Sequence, residues 1–304
     1  MCRYKAAVIG LGVMGRNHYR LLREHPDVEV AALCDPKPDR EYPEEIFSGA
    51  QEMTEKRKDI DFAVVSVPTP LHSSVTDICI NAGIDLLIEK PVASDSAQGR
   101  EMLKRIRESG IKSAVGHVER FNPVVNALKQ EIKEKSIQNI NFTRIGPLPP
   151  RIIDVGVLTD LAVHDIDLVR YISEREIVDK NIYSAQMIEG HFEDSALISF
   201  SLGEGILAGI VTNWLTPFKK RRIDLVSETS YYEADLITQD LKEYSSYRDN
   251  DSVFLTKNCF VKKGEPLKSE LGAFINYIKT GEKGRLASVE DSIYTLEIIE
   301  EFRD

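Results

Sequence analysis

The stretch KAAVIGLGVMGR, from Lys5 to Arg16, decides the fold of this chain. Ala6 to Ile9 form a short apolar run that predicts a strand, and Met14 to Arg23 continue with a helical rhythm. Between the two stand three glycines in the pattern GxGxxG: Gly10, Gly12 and Gly15. In a strand–turn–helix unit such glycines permit a tight turn, the close approach of a pyrophosphate and the packing of the helix on the strand. The start of the helix offers unpaired N–H groups to phosphates, so we predict a dinucleotide site.

An acidic residue stands where a dinucleotide site needs one. Val28 to Leu33 predict a second strand, and Asp35 follows it, about 20 residues beyond Gly15. A carboxylate at this point can accept hydrogen bonds from both ribose hydroxyls of an adenosine, and it repels the additional phosphate of NADP. We therefore favour NAD. Lys37 and Arg40 could offset the repulsion, and Asp35 could instead be a simple turn residue.

Length and composition limit the classes of protein that the chain can represent. It has 304 residues, of which 42% are hydrophobic, and this length predicts two domains. The formal net charge of -10 argues against a nucleic-acid-binding face. Four scattered cysteines, without a CxxC motif, indicate neither a zinc site nor a disulfide framework. Without a membrane-length apolar run or a signal peptide, we expect a cytoplasmic protein that binds neither membrane nor nucleic acid.

Strands and helices alternate through the first domain, for which we expect the bounds 1–118. Further strands are predicted at 62–67, 86–88 and 112–115, and helices at 44–56, 74–82 and 95–108. Residues 36–60 leave little room for a third strand. The alternation predicts a doubly wound parallel α/β sheet, in which ligands bind at the carboxyl ends of the strands. The polar and loop residues at those ends are Asp35, Pro68, Thr69, His72, Glu89, Lys90 and His117.

A second domain is expected over residues 119–304. It should contain a helix from Asp160 to Ile172, with Thr159 as its N-cap. At helical spacing Asp160, His164 and Asp167 share one face, which could line a cleft. Asp165 falls nearer the apolar side, so we expect it to find a partner at a subunit or domain edge.

The remainder of the second domain reads mainly as strands. A helix at 121–135 and a strand at 140–145 come first, and helices at 267–279 and 288–302 close the chain, the former against the sheet. Strand-like alternation covers 177–187, 195–202, 206–214, 221–227, 230–237, 240–245 and 252–261.

Four motifs make the chain resemble the glucose-fructose oxidoreductase and inositol dehydrogenase (GFO/IDH/MocA) family. They are GLGVMG at 10–15, VPTPLH at 67–72, EKP at 89–91 and Asp-x-x-x-His at 160–164. The resemblance implies an N-terminal Rossmann domain and a C-terminal α+β domain built on a large open, mostly antiparallel sheet. It also implies that NAD is held by the glycine loop and the strand ends, at Gly10, Gly12, Val13, Met14, Gly15, Asp35, Pro68, Thr69, His72, Glu89 and Lys90.

The same resemblance implies a chemistry. Lys90, Asp160 and His164 match the family's catalytic group. In the mechanism that we expect, His164 takes the proton of a substrate hydroxyl as hydride leaves, because the pKa of histidine suits a general base near neutral pH. Lys90 orients the same oxygen and stabilises its developing charge. His72 and His117 are better explained as pocket walls or loop caps.

Finer matches resemble one branch of the family, the UDP-N-acetylglucosamine 3-dehydrogenases. They lie at 116–123, 146–168 and 213–217, and they imply oxidation of the sugar's 3-hydroxyl to a ketone. The diphosphate of such a substrate needs cations, and the candidates are Arg120, Arg144, Arg151 and the run Lys219 to Arg222. A basic run at a strand start is more often solvated. Asp160, Asn122, Asn213 and Trp214 are expected to line the sugar pocket.

Several alternatives stay open at this stage. Asp160, His164 and Asp167 could be a metal cluster, although we expect no metal because a convincing further ligand is missing. The lysine–proline bond at Lys90 could be cis or trans. The protein could instead oxidise a free sugar or cyclitol, or be a non-catalytic NAD sensor. We also expect a homodimer or homotetramer that buries the open face of the second sheet.

Overall fold

The computed structural model describes residues 3–149, 155–188, 192–246 and 253–302. The chain divides into two compact units: one comprises Met1–Val118 and Leu267–Phe302, and the other comprises Glu119–Pro266. The C-terminal helices, which the sequence assigned to the second domain (119–304), pack instead within the first unit. Within the described ranges, no helix combines the length and the apolar character that crossing a membrane requires.

The first unit contains the predicted doubly wound parallel sheet. Its strands are β1 Tyr4–Ile9, β2 Val28–Cys34, β3 Ile46–Phe47, β4 Phe62–Val65, β5 Asp85–Ile88 and β6 Ser113–Val115. They lie in the order β3-β2-β1-β4-β5-β6, and every pair is parallel. The strand order reverses between β1 and β4, which is where such sheets bind their ligands. As expected, the polar segment after Asp35 leaves only two residues for the third strand.

Six helices accompany this sheet: α1 Val13–Glu24, α2 Ala50–Lys56, α3 His72–Asn81, α4 Ser96–Ser109, α7 Pro266–Thr280 and α8 Val289–Glu300. The side chain of Asp95 caps α4 by accepting a hydrogen bond from the Gln98 backbone N–H (2.7 Å). The helix ends at Gly110, whose φ of 72° suits a residue without a Cβ atom.

The last two helices join the first unit because their apolar faces complete its core. The Phe274 ring on α7 packs edge-to-face on Phe62 of β4, with ring centroids 5.8 Å apart. Ile293 on α8 lies so close to Gly99 on α4 that a Cβ atom at that glycine would come within 2.8 Å of it. These contacts join segments far apart in the sequence, which explains why local patterns missed them.

The second unit is built on an eight-stranded sheet. Its strands are β7 Ile137–Pro147, β8 Asp179–Ala185, β9 Ser195–Ser201, β10 Leu207–Asn213, β11 Leu215–Ser227, β12 Ser230–Asp235, β13 Asp240–Ser246 and β14 Phe254–Cys259. The order is β14-β13-β12-β11-β7-β10-β9-β8, and of these pairs β7–β10 is parallel while the others are antiparallel. The predicted open, mostly antiparallel sheet is thereby confirmed.

Helices α5 (Pro123–Glu131) and α6 (Val163–Ser173) pack on one face of this sheet. Alternation along β9 sends Ile198 and Phe200 under the helices, whereas Leu197 points to the opposite face and is 54% exposed. Leu207 and Val211 of β10 are exposed on that same face, at 55% and 41%. The second unit therefore has one covered face and one open apolar face.

Candidate active site

The glycine loop has the steric character of a nucleotide-binding turn. Gly10 has a φ of 95°, and a Cβ atom there would lie 2.6 Å from the carbonyl oxygen of Ser66. A Cβ atom on Gly15 would collide with the backbone of Gly10, so only glycine allows the helix to approach the strand. Around Gly12 no atom lies within 4 Å of the corresponding position. This open side of the loop fits the close approach of a pyrophosphate, and Val13 and Met14 open helix α1 beside it.

Asp35 lies at the end of β2 and is tied to the glycine loop. Its carboxylate accepts hydrogen bonds from the backbone N–H of Leu11 (2.8 Å) and of Lys37 (2.8 Å). The carboxylate keeps further acceptor positions, because two oxygens offer about four lone pairs. The nearby Arg40 guanidinium lies over the ring of Tyr42, 5.0 Å from its centroid. The structure thus shows the turn contacts of Asp35, and its contact with a ribose stays a prediction.

The loop after β4 is braced by His72. Pro68 precedes a short helical turn, Thr69–Leu71, and His72 begins α3. The buried His72 ring places Nδ1 3.0 Å from the Pro91 carbonyl oxygen and Nε2 2.9 Å from the Val67 carbonyl oxygen. Burial lowers the pKa of His72, although the two carbonyl contacts oppose that shift. The histidine therefore links two strand-end loops, as a loop cap does, and its contact with NAD stays a prediction.

Glu89 and Lys90 follow β5. The Glu89 carboxylate is buried, and its Oε1 lies 2.7 Å from Nε2 of His18 on α1. Its Oε2 accepts a weaker hydrogen bond from the Lys90 backbone N–H (3.3 Å). Burial alone would raise the pKa of Glu89, but the hydrogen bond from His18 and the charges of His18 and Lys90 hold it below the ordinary value. The half-buried Lys90 precedes a cis bond to Pro91, so the structure answers the question that the sequence left open.

In the second unit, the segment that carries Asp160 and His164 is a π-helical turn, Leu158–Ala162, continuing into α6. The helix thus starts before Thr159, and the predicted N-cap is wrong: Val157 holds that position. Its N–H donates to the Glu193 carbonyl oxygen (2.9 Å). Asp160 and His164 are half-buried, while most of α6 is buried. Single π turns inside helices occur frequently at functional sites.

Asp167 differs from Asp160 and His164 in its burial. It is buried and forms a two-pronged ion pair with Arg120, at 2.8 Å from Nε and 2.5 Å from Nη2. His164 and Asp167 lie three residues apart in the regular part of α6, after the π turn, so helical spacing keeps them neighbours. The ion pair commits the Asp167 carboxylate to a buried contact with Arg120, so the predicted stripe does not line a cleft with all three of its residues.

Asp165 finds its partner inside the second unit rather than at an edge. The buried Arg144 guanidinium donates to Asp165 (2.8 Å from Nη2) and to Glu119 (2.9 Å from Nη1). Glu119 also accepts from Arg221 at 3.4 Å. Burial would raise the pKa of Glu119, but the charges of Arg144 and Arg221 hold it below its ordinary value. Arg144, a candidate for the substrate diphosphate, is thus committed to buried carboxylates.

Other expected substrate residues also have contacts within the second unit. Asn122 caps α5, its Oδ1 accepting from the Val124 N–H (3.3 Å), and its amide donates to the Leu236 carbonyl oxygen (3.0 Å). Asn213 Oδ1 accepts from the Leu215 N–H (3.1 Å). Trp214 is buried, Arg120 binds Asp167, and Arg151 lies outside the described residues. Their roles toward a substrate stay predictions.

Two features of the site were missed by the sequence reasoning. His18, three residues beyond Gly15, is buried against Glu89, and the signal was a histidine on the apolar side of a strongly amphipathic helix. The separation of the basic run Lys219 to Arg222 onto two faces of the sheet was also missed. Its signal was the period-2 alternation of the strand.

Known proteins resemble the chain over both units. The family model described as "Oxidoreductase family, NAD-binding Rossmann fold" matches residues 4–117, and the GFO/IDH/MocA C-terminal domain matches residues 147–233. UDP-N-acetylglucosamine 3-dehydrogenase from Acidithiobacillus ferrooxidans is 25% identical over 247 residues, 80% of this chain and 78% of that protein. Inositol 2-dehydrogenase from Rhizobium meliloti is 25% identical over 202 residues, 62% of this chain and 60% of that protein.

Solved structures agree with this assignment of the fold. The A. ferrooxidans enzyme GnnA superposes with a TM-score of 0.89 at 22% identity, covering 99% of this chain and 96% of that chain. GenD2 from gentamicin A biosynthesis, in complex with NAD, gives a TM-score of 0.83 at 18% identity, covering 100% and 94%. The chain therefore belongs to the GFO/IDH/MocA oxidoreductase family and carries that family's NAD-binding Rossmann domain.

Proposed function

We propose that this protein uses NAD to oxidise a secondary hydroxyl of a UDP-sugar, most directly the 3-hydroxyl of UDP-N-acetylglucosamine, to a ketone. The coarser class, an oxidoreductase of a family that contains sugar and cyclitol dehydrogenases, follows from the family itself. The observation that carries the finer proposal is the pair Asp160, on the π turn, and His164, in the first turn of α6, both half-buried at the start of an otherwise mostly buried helix. The similarity to the A. ferrooxidans enzyme supports the choice of substrate.

The residues of this chain then have separable tasks. When bound, NAD supplies the hydride acceptor. The open side of Gly12 and the first turn of α1 would hold its pyrophosphate. We assign to His164 the task of accepting the hydroxyl proton, and to Lys90 a hydrogen bond to the same oxygen. Asp160 orients the hydroxyl and balances the positive charge.

The test is a panel of UDP-sugars and polyols incubated with the protein and NAD, with the absorbance band of NADH as the readout. We expect UDP-N-acetylglucosamine to give a signal and a 3-keto product. A family member that retains and recycles its cofactor would show little steady-state signal, so each substrate is also tested at enzyme concentrations that report a single turnover. A panel without NADH or keto product under both conditions would refute the proposal.

A second candidate is a dehydrogenase for a free sugar or cyclitol, which the similarity to the R. meliloti inositol dehydrogenase favours. The two differ in the need for a diphosphate site. Calorimetric titration with UDP alone separates them, because a cyclitol dehydrogenase has no reason to bind it. The third alternative, a non-catalytic NAD sensor, has no reason to keep Lys90, Asp160 and His164 together.

We also propose that the protein forms a homodimer or homotetramer through the open face of the second sheet. Leu197, Leu207 and Val211 expose a contiguous apolar patch there, and Tyr183 of β8 is 74% exposed beside it. Patches of this kind mark association surfaces in soluble proteins. Light scattering should show that Val211→Glu lowers the mass of the particle. A wild-type monomer would refute the proposal.

A further inference from the structure

The basic run Lys219-Lys220-Arg221-Arg222 is divided by the geometry of β11. Arg221 pairs in register with Arg144 of β7 and shares its face, the one covered by helices. Lys219 lies on that same face, because a Cβ atom on Gly146 would come within 3.3 Å of its Cγ. Lys220 and Arg222 alternate to the open face. The sequence alone suggests one solvated basic patch. In the structure, two of its cations lie on the covered face of the sheet and two on the open face.

On the open face, the charge of Arg222 is already neutralised. Its Nε lies 2.8 Å from both carboxylate oxygens of Asp224, and its Nη1 lies 3.0 Å from Glu233. The Tyr231 hydroxyl accepts a further hydrogen bond at 3.1 Å. With these contacts Arg222 has a structural role and little donor capacity for a ligand.

Arg221, unlike Arg222, has little contact with acidic side chains. Toward the described residues it makes one hydrogen bond, a long one of 3.4 Å from Nη1 to Glu119, and Glu119 binds Arg144 more closely at 2.9 Å. Its side chain is 39% exposed. A guanidinium has five N–H donors, so most of those of Arg221 remain available for another acceptor. Burial and the charge of Arg144 lower the pKa of Arg221, which means that an additional anion would stabilise its charged form.

The position of Arg221 links it to the proposed chemistry. Arg221 lies beside Arg144 in the pairing of β11 with β7, and Arg144 binds Asp165 of α6, the helix that carries His164. The negative charge of Asp160 also favours the protonated form of Arg221. Lys219 lies two residues further along the strand, about 7 Å away on the same face. Lys219 is exposed and has no acidic side chain within ion-pair distance among the residues that the structure describes. The two cations form a row on the covered face of the sheet, the face on which α6 packs.

We propose that Arg221 and Lys219 anchor the diphosphate of a nucleoside-diphosphate sugar whose reacting ring lies at Asp160 and His164. The inference deepens the proposed function and rests on it. A diphosphate offers several anionic oxygens on two phosphorus atoms, and the planar fork of arginine matches such oxygens with two parallel hydrogen bonds. Lysine serves the second phosphate as a point charge. A neutral polyol has nothing for this row to bind.

The test compares Arg221→Gln and Lys219→Gln with Lys220→Gln, which removes a lysine from the same strand but from the open face. A charge-assisted hydrogen bond contributes enough that KM for UDP-N-acetylglucosamine should rise by about 10-fold or more in Arg221→Gln, with a smaller rise in Lys219→Gln. The kcat of both variants should change by much less. Arg221→Lys should recover part of the loss, and Lys220→Gln should match the wild type.

Calorimetric titration with UDP provides a readout that needs no turnover. Wild-type protein should bind UDP, with an affinity that decreases as salt increases, and both covered-face variants should bind it more weakly. If UDP binds through Arg221 but no UDP-sugar is oxidised, the anion site stands and the proposed function fails. If UDP-N-acetylglucosamine is oxidised and both covered-face variants keep the wild-type KM and UDP affinity, the inference is overturned. Should Arg221→Gln fail to fold, the KM and UDP affinity of Lys219→Gln, a variant at an exposed position, provide the same test.

Discussion

His18 Nε2 lies 2.7 Å from Glu89 Oε1, and both side chains are buried. The histidine comes from helix α1, directly after the glycine loop, and the glutamate ends β5 immediately before Lys90. The carboxylate also accepts a hydrogen bond from the Lys90 backbone N–H. The pair thus ties the element that is expected to hold the pyrophosphate to the segment that presents the lysine.

Removing His18 should therefore affect both stability and activity. His18→Ala leaves a buried carboxylate without its imidazole hydrogen-bond partner, and leaving such an acceptor unsatisfied costs about 1–3 kcal/mol or more. We expect urea denaturation to show this loss, together with a lower kcat because Lys90 is less well positioned. Arg20→Gln, on the exposed side of the same helix, is the control.

A double variant separates this pair from general damage to the helix. If His18 acts on Glu89, His18→Ala combined with Glu89→Gln should be less destabilised than the sum of the single variants, because the buried charge is then absent. Additive effects, or a His18→Ala protein as stable as Arg20→Gln, would contradict the assignment.

Asp35 should set the preference between NAD and NADP. In Asp35→Asn the repulsion of an additional phosphate disappears and the ribose hydroxyls lose a charged acceptor. We expect the Kd for NAD to rise by about 10-fold, since hydrogen bonds to charged groups contribute about 1.5–3 kcal/mol. The ratio of the Kd for NADP to the Kd for NAD should decrease. Fluorescence titration of both cofactors measures this. Glu29→Gln, an exposed position on the same strand, is the control, and equal Kd values in wild type and Asp35→Asn would exclude the role.

How far the sequence could predict this fold depends on whether a pattern is local. The sequence predicts correctly the glycine loop, the apolar strands beside it and the alternation of β9. Each of these patterns lies within one element and follows one periodicity. The role of Asp167 is misjudged because its burial depends on the partner Arg120, which lies 47 positions away in the sequence. His18 and Glu89 are 71 positions apart, so their contact exists only once α1 and β5 have packed.

For the candidate site, too, the contacts between residues distant in sequence could not be predicted. Lys90, Asp160 and His164 were identified by resemblance, and the half-buried positions of Asp160 and His164 agree with a site on their unit. Of the cations proposed for a diphosphate, Arg120 and Arg144 are committed to buried carboxylates instead. The sequence does not show whether an arginine binds a ligand or pairs with an aspartate of the protein. Only the position of the partner in the structure distinguishes these two roles.

The ion pair of Arg120 with Asp167 should stabilise the protein far more than the partly exposed pair that Arg170 of the same helix forms with Glu176. Asp167→Asn leaves a guanidinium buried without its counter-charge, which costs about 3–5 kcal/mol. Arg170 and Glu176 form the comparison, because their contact of 2.7 Å is partly exposed. Arg170→Gln should cost about 1 kcal/mol or less. Urea denaturation of both variants measures the difference, and similar losses would show that the Asp167 pair is not buried in solution.

Glu243 should make stability depend on pH in acid. Burial opposes its ionisation, but hydrogen bonds from Lys135, Ser230 and Tyr232 outweigh that effect and lower its pKa from 4.5 to about 2. A depressed pKa in the folded state stabilises the protein above the unfolded value and loses this effect as pH falls toward the folded value. The wild type should therefore exceed Glu243→Gln in free energy of unfolding near neutral pH, and the difference should shrink below about pH 4.5.

The control for that experiment is Glu228→Gln, at an exposed position in the turn between β11 and β12. The free energy of unfolding of Glu228→Gln should differ little from that of the wild type at every pH. A Glu243→Gln difference that stays constant down to about pH 2 would contradict the hydrogen-bonded carboxylate.

The central claim is that this chain removes hydride from one sugar carbon while His164 takes the hydroxyl proton. It is tested most directly by single-turnover formation of NADH from UDP-N-acetylglucosamine with hydrogen or deuterium at C3. The account predicts a burst of NADH that is slower with deuterium, and a rate about 10²–10⁴-fold lower in His164→Ala at nearly unchanged NAD affinity. An unchanged rate in His164→Ala, or no NADH from the wild-type protein, would contradict it.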